Sequence, residues 1–389
     1  MKLATIWWCI DVIGHDFARL ALSNCWQSLI VFAAFGVLAF LVRSKAASVR
    51  HAIWCAAVLS LPVIPLVSWF SAQEFGSRPI PVFPAYSQVI PIEPATVSEP
   101  LQGVSPSTGP DEKSDPFRIA HPWAVIFALY TAGAGFLIMR MVSGRLRVRR
   151  LIDYGIPVID DRVIGMTDDI RVRYGIKRQI TVVESADVPV PFTFRTLHPV
   201  IVLPAGLAEN LEEVELGAVI AHEAAHVKRF DTLVLNAVYI VRAVFFFNPL
   251  AWFATREISH LSEQASDTLV LTAAVTPLPY ARLVTRIAEL ASSVPAEVEY
   301  AAGMIFSRQS FIRRVEAILA HREGTLRKLS LPAFAGVVLA CGVALAAAFA
   351  LPIEEAAEKK PSQPAGQPAT TNTMRVAQAF AVRETPSKL

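Results

Sequence analysis

The chain has 389 residues, of which 53% are hydrophobic and only 18% charged, and its mean hydropathy is +0.45. This composition is unusual for a soluble protein and favours a membrane protein. The net charge of +3 arises from basic residues that lie mainly beside apolar runs, which argues against a nucleic-acid-binding patch. The four cysteines lie in or next to apolar stretches without a Cys-x-x-Cys pair, so we expect neither a disulfide scaffold nor a cysteine metal site.

Four stretches lack acidic residues, lysine and arginine over about the length that a hydrocarbon core demands of a helix. The predicted membrane spans are 22–42, 52–73, 119–139 and 329–353. Residues 1–21 precede them and contain Asp11, Asp16 and Arg19. These charges argue against a signal peptide, so this segment is predicted to be an interfacial helix.

Basic residues flank the predicted spans on one side of the membrane. They are Arg43, Lys45 and Arg50, then Arg140, Arg145, Arg147, Arg149 and Arg150, and finally Arg322, Arg327 and Lys328. The positive-inside rule places all three groups in the cytoplasm. Both termini are then extracytoplasmic, and the domains that follow from this orientation are a cytoplasmic turn at 43–51, an external loop at 74–118, a cytoplasmic domain at 140–328 and an external tail at 354–389.

The two external segments have compositions typical of extended chain. Nine of the 27 prolines lie between Ser71 and His121, which predicts a Pro-rich linker. The tail at 354–389 is similar and is predicted to be disordered, because it cannot bury a core. If the protein responds to an external signal, the sequence leaves open whether the loop, the tail or a separate partner protein receives it.

The cytoplasmic part begins with strand signals and continues with helix signals. Residues 180–184 and 200–203 are rich in β-branched side chains and are predicted strands, and the two prolines within 188–194 favour an edge position. Three helices follow. They are predicted from an Asn210 cap with Glu213 to about Lys228, from an Asp231 cap over 232–247, and from an Asn248-Pro249 start over about 249–275.

The first of these helices contains His222-Glu223-Ala224-Ala225-His226. Residues four apart share a helix face, so both imidazoles can bind one metal ion while Glu223 faces a water molecule. Zinc suits this set, because it lowers the pKa of a bound water and Glu223 would accept its proton as the general base. The motif therefore predicts a metallopeptidase site with Glu223 as the catalytic residue.

A catalytic zinc ion usually has three protein ligands, so a third ligand is needed. The third helix offers Glu263 and Asp267, of which one could bind the ion while the other orients a ligand histidine. A solvated helix face is the alternative for this pair, and His260 is a rival ligand. Candidates for the group that stabilises the oxyanion are Tyr239, Arg256 and His260.

The apolar run at 232–254 cannot be a membrane span if His226 and Glu263 share a metal ion, because a span would separate them. We expect a helical hairpin with Asn248-Pro249 at its bend, packed against the spans or dipping into the bilayer. A soluble core hairpin is the alternative, and the sequence does not decide between them.

These residues resemble the BlaR/MecR-type membrane metallopeptidases, the transmembrane half of β-lactam sensor-transducers. The resemblance covers about residues 20–350 and rests on three motifs and the acidic pair. The motifs are Pro191-Phe-Thr-Phe194 with Pro199–Pro204, Ala221–His226 with Arg229 and Asp231, and Phe246–Leu250, and the acidic pair is Glu263 with Asp267. The resemblance implies a gluzincin-like site with His222, His226 and Glu263 as zinc ligands, Asp267 as a supporting residue, and an extended substrate along an edge strand.

The resemblance also implies a fold and a task. The fold would be mainly α, a polytopic membrane protein of four transmembrane helices with a cytoplasmic gluzincin-like zinc peptidase domain that contains a small β-sheet. The task would be signal-dependent cleavage of a cytoplasmic DNA-binding repressor at the bacterial inner membrane, often after self-cleavage. The best-known members carry a penicillin-binding sensor domain after the last span, which this sequence lacks, so direct acylation by a β-lactam is not expected.

Two other functions fit the sequence less well than an endopeptidase. A membrane signalling or scaffold protein with a structural or regulatory zinc site would gain nothing from Glu223 beside an open metal position. A transporter is disfavoured because the four predicted spans contain no acidic residue, lysine or arginine that would mark an ion path.

Overall fold

The structure is a computed structural model that describes residues 3–43, 46–75, 80–83, 121–273, 275–292, 308–321, 342 and 353–355. Within these ranges the protein is mainly helical and contains a small mixed β-sheet. Three long helices come first in the chain, and a group of shorter helices packs around the sheet.

The long helices are α1 (Leu3–Leu41), α2 (Ala47–Phe75) and α3 (Pro122–Asp153). By length and composition, Ile6–Leu41, Ala47–Ser68 and Pro122–Asp153 could each cross a membrane. They contain or overlap three of the four predicted spans. The fourth predicted span, 329–353, lies outside the described residues except for positions 342 and 353.

Helix α1 joins two segments that the sequence separates. The predicted interfacial helix, 1–21, and the first span, 22–42, fall in one helix without a break at residue 21. The amino-terminal half of α1 packs closely on the start of α3. The Asp11 carboxylate accepts a hydrogen bond from the backbone N–H of Ala124 at 2.9 Å, and a Cβ at Gly14 would collide with the backbone of Trp123.

Helix α3 continues beyond the predicted end of its span. It runs through the arginine-rich segment 140–150 to Asp153, and Val148 and Ile152 on this extension are buried. The extension packs against the β-sheet of the following part of the chain, so one rigid helix connects the membrane segment with the sheet.

The four-stranded sheet contains β2 (Ile156–Pro157), β3 (Thr181–Ser185), β4 (Phe192–Phe194) and β5 (Val200–Pro204) in the order β2-β3-β5-β4. Strands β3 and β5 are parallel, and the other two pairs are antiparallel. The strands predicted at 180–184 and 200–203 are confirmed. The segment 188–194 is at the sheet edge as predicted, although only its last three residues form a strand.

A second, two-stranded sheet joins residues that are far apart in the chain. Strand β1 (Ile80–Phe83) pairs in parallel with a strand at Ile353–Glu355, which we call β6. The first lies in the predicted external loop 74–118, and the second spans the boundary between the fourth predicted span and the tail 354–389. Apart from residues 74 and 75, which end α2, the remainder of both predicted external segments is outside the described residues.

The shorter helices form the rest of the domain that follows α3. They are α4 (Asp161–Arg173), α5 (Leu207–Asn210), α6 (Glu213–Arg229), α7 (Asp231–Val244), α8 (Pro249–Ala273), α9 (Pro277–Ser292) and α10 (Arg308–Leu319). The largest buried cluster of apolar side chains lies between the sheet and helices α4, α6, α8, α9 and α10.

The predicted cap at Asn210 is wrong. Asn210 ends α5, and Leu211 is extended and buried, so the helical path is broken before α6 begins. The capping box lies two residues later, where the backbone N–H of Glu212 donates to the Glu215 carboxylate at 3.2 Å. The predicted start at Asn248 is confirmed, because its Oδ1 accepts from the backbone N–H of Leu250 at 3.0 Å.

Helices α7 and α8 form the expected hairpin, and it packs against the long helices. Asn248 in its turn is buried, and its side chain donates to the Ser28 hydroxyl of α1 at 2.8 Å. The Phe246 ring stacks on Tyr130 of α3 with ring centroids 5.8 Å apart. The hairpin thus lies alongside the candidate membrane helices and returns Glu263 to the side on which α6 ends.

Candidate metal centre

Helix α6 holds the His222–His226 motif in a buried position. The motif lies in the last two turns of a helix whose apolar residues face the main core, and both His222 and Glu223 are buried. Phe230, with a φ of 58°, then reverses the chain into α7. This reversal brings Asp231 back against His226.

Glu263 of α8 completes a compact group with the two histidines. The distances are 3.2 Å between the two Nε2 atoms, 3.4 Å from His222 Nε2 to Glu263 Oε2, and 3.6 Å from His226 Nε2 to Glu263 Oε1. An ion bound tetrahedrally through bonds of ~2.0–2.1 Å separates its ligand atoms by about 3.3 Å. The donor atoms present here therefore fit a metal ion.

Within the described part of the chain, these three residues are the group of possible ligands whose donor atoms lie within 4.8 Å of one another. The rival ligand His260 is not in that group, and its Nε2 atom is 3.1 Å from the amide nitrogen of Gln264. Glu263 and Asp267 are also not a solvated face, because Asp267 is buried and both carboxylates contact site residues.

Asp267 and Tyr280 hold His222 from behind. The His222 Nδ1 atom lies 3.1 Å from both Asp267 Oδ1 and the Tyr280 hydroxyl, and that hydroxyl donates to Asp267 at 2.7 Å. These contacts fix the ring so that Nε2 faces the other ligands. Burial opposes protonation of His222, but hydrogen bonds to Asp267 and Glu263 raise its pKa to about 9.

Asp231 fixes the ring of His226 in the way that Asp267 and Tyr280 fix that of His222. Its Oδ2 atom is 2.8 Å from His226 Nδ1 and accepts hydrogen bonds from the Ser262 hydroxyl at 2.8 Å and from Arg229 Nε at 3.1 Å. Burial would raise the pKa of Asp231, yet the hydrogen bond with His226 and the charges of His226 and Arg229 lower it to about 2. An ionised carboxylate therefore faces each histidine on the side away from the other ligands.

Arg314 of α10 brings a positive charge to the same centre. Its guanidinium donates to Asp267 through Nε at 2.8 Å and Nη2 at 2.9 Å, and Nη1 lies 3.0 Å from Glu263 Oε2. Burial opposes ionisation of both carboxyl groups, but this charge and the hydrogen bonds with His222 hold the pKa of Glu263 well below its usual range and lower that of Asp267 to about 2.

Glu223 stands apart from the three possible ligands. It is buried, and its carboxylate accepts a hydrogen bond from the Thr193 hydroxyl of the edge strand β4 at 2.8 Å. A carboxylate beside a metal centre and not occupied as a ligand is placed to accept a proton. The arrangement has the parts of a hydrolytic site: two ligand histidines, a carboxylate ligand and a separate base.

The structure adds residues that the sequence analysis did not assign to the site. Asp231 was predicted as a helix cap and Thr193 belongs to a motif of the family resemblance, but neither was assigned to the metal centre, and Tyr280 and Arg314 were not predicted at all. Asp231 lies five residues after His226, a short-range signal that could have been used. Arg314 and Tyr280 reach the site from separate helices, and no short-range spacing in the sequence predicts that they belong to it.

The three proposed oxyanion donors do not make the contacts that Arg314 makes. Tyr239 carries the Arg242 guanidinium 4.8 Å above its ring, Arg256 is exposed, and His260 pairs with Gln264. Among the described residues, Arg314 is the cation that contacts the possible ligands His222 and Glu263.

Comparison with known proteins identifies the family. The profile of the BlaR1 peptidase M56 family matches residues 18–318, which include all the site residues described above. The chain belongs to this family. The M56 match includes α1 from residue 18 onward, all of α2 and α3, and the metal centre, so the candidate membrane helices and the metal centre belong to the same family region.

Two curated relatives are similar to parts of this M56 chain. Regulatory protein BlaR1 of Bacillus licheniformis is 22% identical over 149 residues, which are 38% of this chain and 24% of that protein. The methicillin resistance mecR1 protein of Staphylococcus aureus strain Mu50 is 32% identical over 96 residues, which are 24% of this chain and 16% of that protein. The chain thus matches a quarter or less of these relatives.

Proposed function

We propose that this M56 protein is a membrane-bound zinc endopeptidase that cleaves a cytoplasmic DNA-binding repressor in response to an envelope signal. The observation that carries the proposal is the cluster of His222, His226 and Glu263, whose donor atoms are 3.2–3.6 Å apart, with Glu223 adjacent and free of that cluster. A structural metal site would have no use for such a base.

Zinc is the ion we assign to the centre. Two imidazoles and one carboxylate form the ligand set of catalytic zinc in gluzincin-type peptidases. They leave the fourth tetrahedral position open. When bound, zinc would lower the pKa of a water molecule and polarise a peptide carbonyl. The ionised Asp231 and Asp267 support the ligand histidines and add negative charge around the ion.

The residues of the chain divide the remaining work. Glu223 accepts a proton from the attacking water through its carboxylate and returns it to the leaving amine. Arg314 keeps Glu263 and Asp267 ionised and in place. The edge strand β4, which contacts Glu223 through Thr193, offers its outer side to an extended peptide.

The cellular setting follows from the basic flanks and the family. Arg43, Arg50 and the arginines at 140–150 support a peptidase domain at the cytoplasmic face of the inner membrane, through the positive-inside rule. One relative is named a regulatory protein and another a methicillin resistance protein, which supports a regulatory substrate. A repressor, and in some conditions the chain itself, is the substrate that the resemblance favours.

The substitution Glu223→Gln tests the enzyme. It keeps the size of the side chain and removes the base, so the purified protein should retain one zinc ion per chain while cleavage falls by at least a hundredfold. Metal analysis and a labelled-casein assay in detergent would measure the two quantities. Full proteolysis by Glu223→Gln would reject the mechanism.

The same variant identifies the substrate. Proteomes of cells that carry the wild type or Glu223→Gln should differ in the abundance of a DNA-binding repressor, which is lost only with the active enzyme. If cleaved proteins are found and none of them binds DNA, the repressor assignment is wrong while the peptidase assignment stands.

A further inference from the structure

The hydroxyl of Thr193 contacts the general base directly. It lies 2.8 Å from Glu223 Oε2 and 3.0 Å from the backbone oxygen of Glu223. Because a hydroxyl has a single proton, it donates fully to one acceptor at a time, and its distance to the carboxylate oxygen is the shorter of the two. Glu223 is only 6% exposed, so a protein donor replaces hydration that burial removes.

The alternation of strand β4 directs Thr193 to this contact. Phe192 and Phe194 pack on the apolar cluster that includes Val148 and Ile152 of α3. Successive side chains of a strand point to opposite faces, so Thr193 faces α6, where Glu223 lies. The two phenylalanines thereby fix which face presents the hydroxyl.

Two further contacts hold the register of this strand. Thr193 pairs with Ile201 in the antiparallel ladder between β4 and β5. Immediately after the strand, Arg195 has a φ of 63° and its guanidinium contacts Asp153 Oδ1 at the end of α3 at 2.7 Å. A slip of one residue would turn the hydroxyl away from Glu223, and these contacts oppose that slip.

We propose that Thr193 is a positioning residue for Glu223. Its hydroxyl holds Oε2 of the base and leaves Oε1 for the attacking water, and its strand is the edge on which the peptide substrate lies. This inference rests on the proposed peptidase function. Strand β4 would then position both the general base, through Thr193, and the peptide substrate, so that the two are aligned with each other.

The test compares Thr193→Val with Thr193→Ser. Valine keeps the shape and loses the hydroxyl, so kcat should fall about 10- to 100-fold, the effect of losing a hydrogen bond to a charged group, with KM changed less than threefold. Serine keeps the hydroxyl and should retain at least a third of the wild-type kcat. The probe is a quenched fluorescent peptide selected from a random peptide library by cleavage with the wild-type protein.

Two controls exclude a structural cause. Thr272→Val removes an exposed hydroxyl that bonds within α8 and should leave kcat and KM unchanged. The zinc content of every variant should equal that of the wild type, because Thr193 touches no metal ligand in the described contacts. Equal losses of kcat in the valine and serine variants would overturn the proposal, as would a loss confined to KM.

The results also distinguish failure of the positioning role of Thr193 from failure of the proposed peptidase function. If the wild type cleaves peptides and Thr193→Val cleaves them at the same kcat, the positioning role fails and the peptidase remains. If wild type and Glu223→Gln are equally inactive on the library despite bound zinc, the peptidase function fails first and Thr193 has no base to position.

Discussion

At the residue scale, the metal centre is organised by carboxylates behind its histidines. Asp267 and Asp231 each lie about 3 Å from the Nδ1 atom of one histidine, at 3.1 and 2.8 Å. Both are buried, and both have a lowered pKa of about 2. The histidines therefore sit in a negative environment that favours a cation, whether a proton or a metal ion.

This competition between protons and metal gives a pH dependence. The pKa of His222 in the metal-free protein is raised to about 9 and that of His226 is also raised, so at pH 7 His222 carries a proton that the metal must displace. Zinc binding at pH 7 should release about one to two protons, and the apparent affinity should rise about tenfold per pH unit between pH 6 and 8 and level off near pH 9.

Calorimetric titration with zinc in buffers of different ionisation enthalpy measures the proton release. Glu223→Gln is a suitable control, because it leaves the ligands intact and should release the same number. An affinity that does not change between pH 6 and 8 would contradict the raised pKa of His222.

At the element scale, the α7–α8 hairpin is the part that joins the membrane helices to the metal centre. Its first residue, Asp231, supports His226, and its second helix carries Glu263. Its turn is held between α1 and α3 by Asn248 and Phe246. A buried polar side chain such as that of Asn248 is stable only because it is hydrogen-bonded, since apolar surroundings offer no water as a partner.

Asn248 should therefore contribute to the stability of the hairpin. Asn248→Ala removes the cap of α8 and the bond to Ser28, and we expect a loss of about 1–3 kcal/mol in the free energy of unfolding. Ser28→Ala removes only one of these bonds and should cost about 0.6 kcal/mol, the average for a hydrogen bond between membrane helices. Denaturant titration in mixed micelles would compare the two variants with the wild type.

The order of these two losses is the informative result. If Asn248→Ala is no less stable than Ser28→Ala, the turn is not anchored as described. A fall in zinc affinity in Asn248→Ala would show in addition that the contacts of Asn248 help to position Glu263 on helix α8.

At the scale of the whole molecule, the distribution of arginines along the long helices predicts an orientation in the membrane. The arginines of α3 between 140 and 150 lie on the helical extension that leads into the peptidase domain. The positive-inside rule predicts that this extension, and the metal centre with it, lies in the cytoplasm.

Reporter fusions measure this orientation in cells. Alkaline phosphatase joined after residue 100 should be active, because that reporter folds only outside the cytoplasm, whereas a fusion after residue 160 should be inactive. Green fluorescent protein at the same two positions should give the opposite pattern. Active phosphatase at residue 160 would place the peptidase outside and exclude a cytoplasmic repressor as its substrate.

Much of the architecture could be predicted because its signals are local. Apolar runs of membrane length, the four-residue spacing of His222 and His226, and the Asn248-Pro249 start of α8 each depend on neighbours within a turn or one span. The boundary at Asn210 failed for a tertiary reason: burial of Leu211 in the core extends the chain where the local cap signal favours a helix start.

The sequence by itself predicted the three long apolar helices, helices α6 to α8, strands β3 and β5, and a metallopeptidase motif, since periodicity and motif spacing depend on residues close together in the chain. Only the tertiary structure decided which distant groups surround the metal centre: Tyr280, Arg314 and Thr193 arrive from α9, α10 and β4. Their positions follow from packing of the core and from strand register, which depend on contacts between residues far apart in the chain.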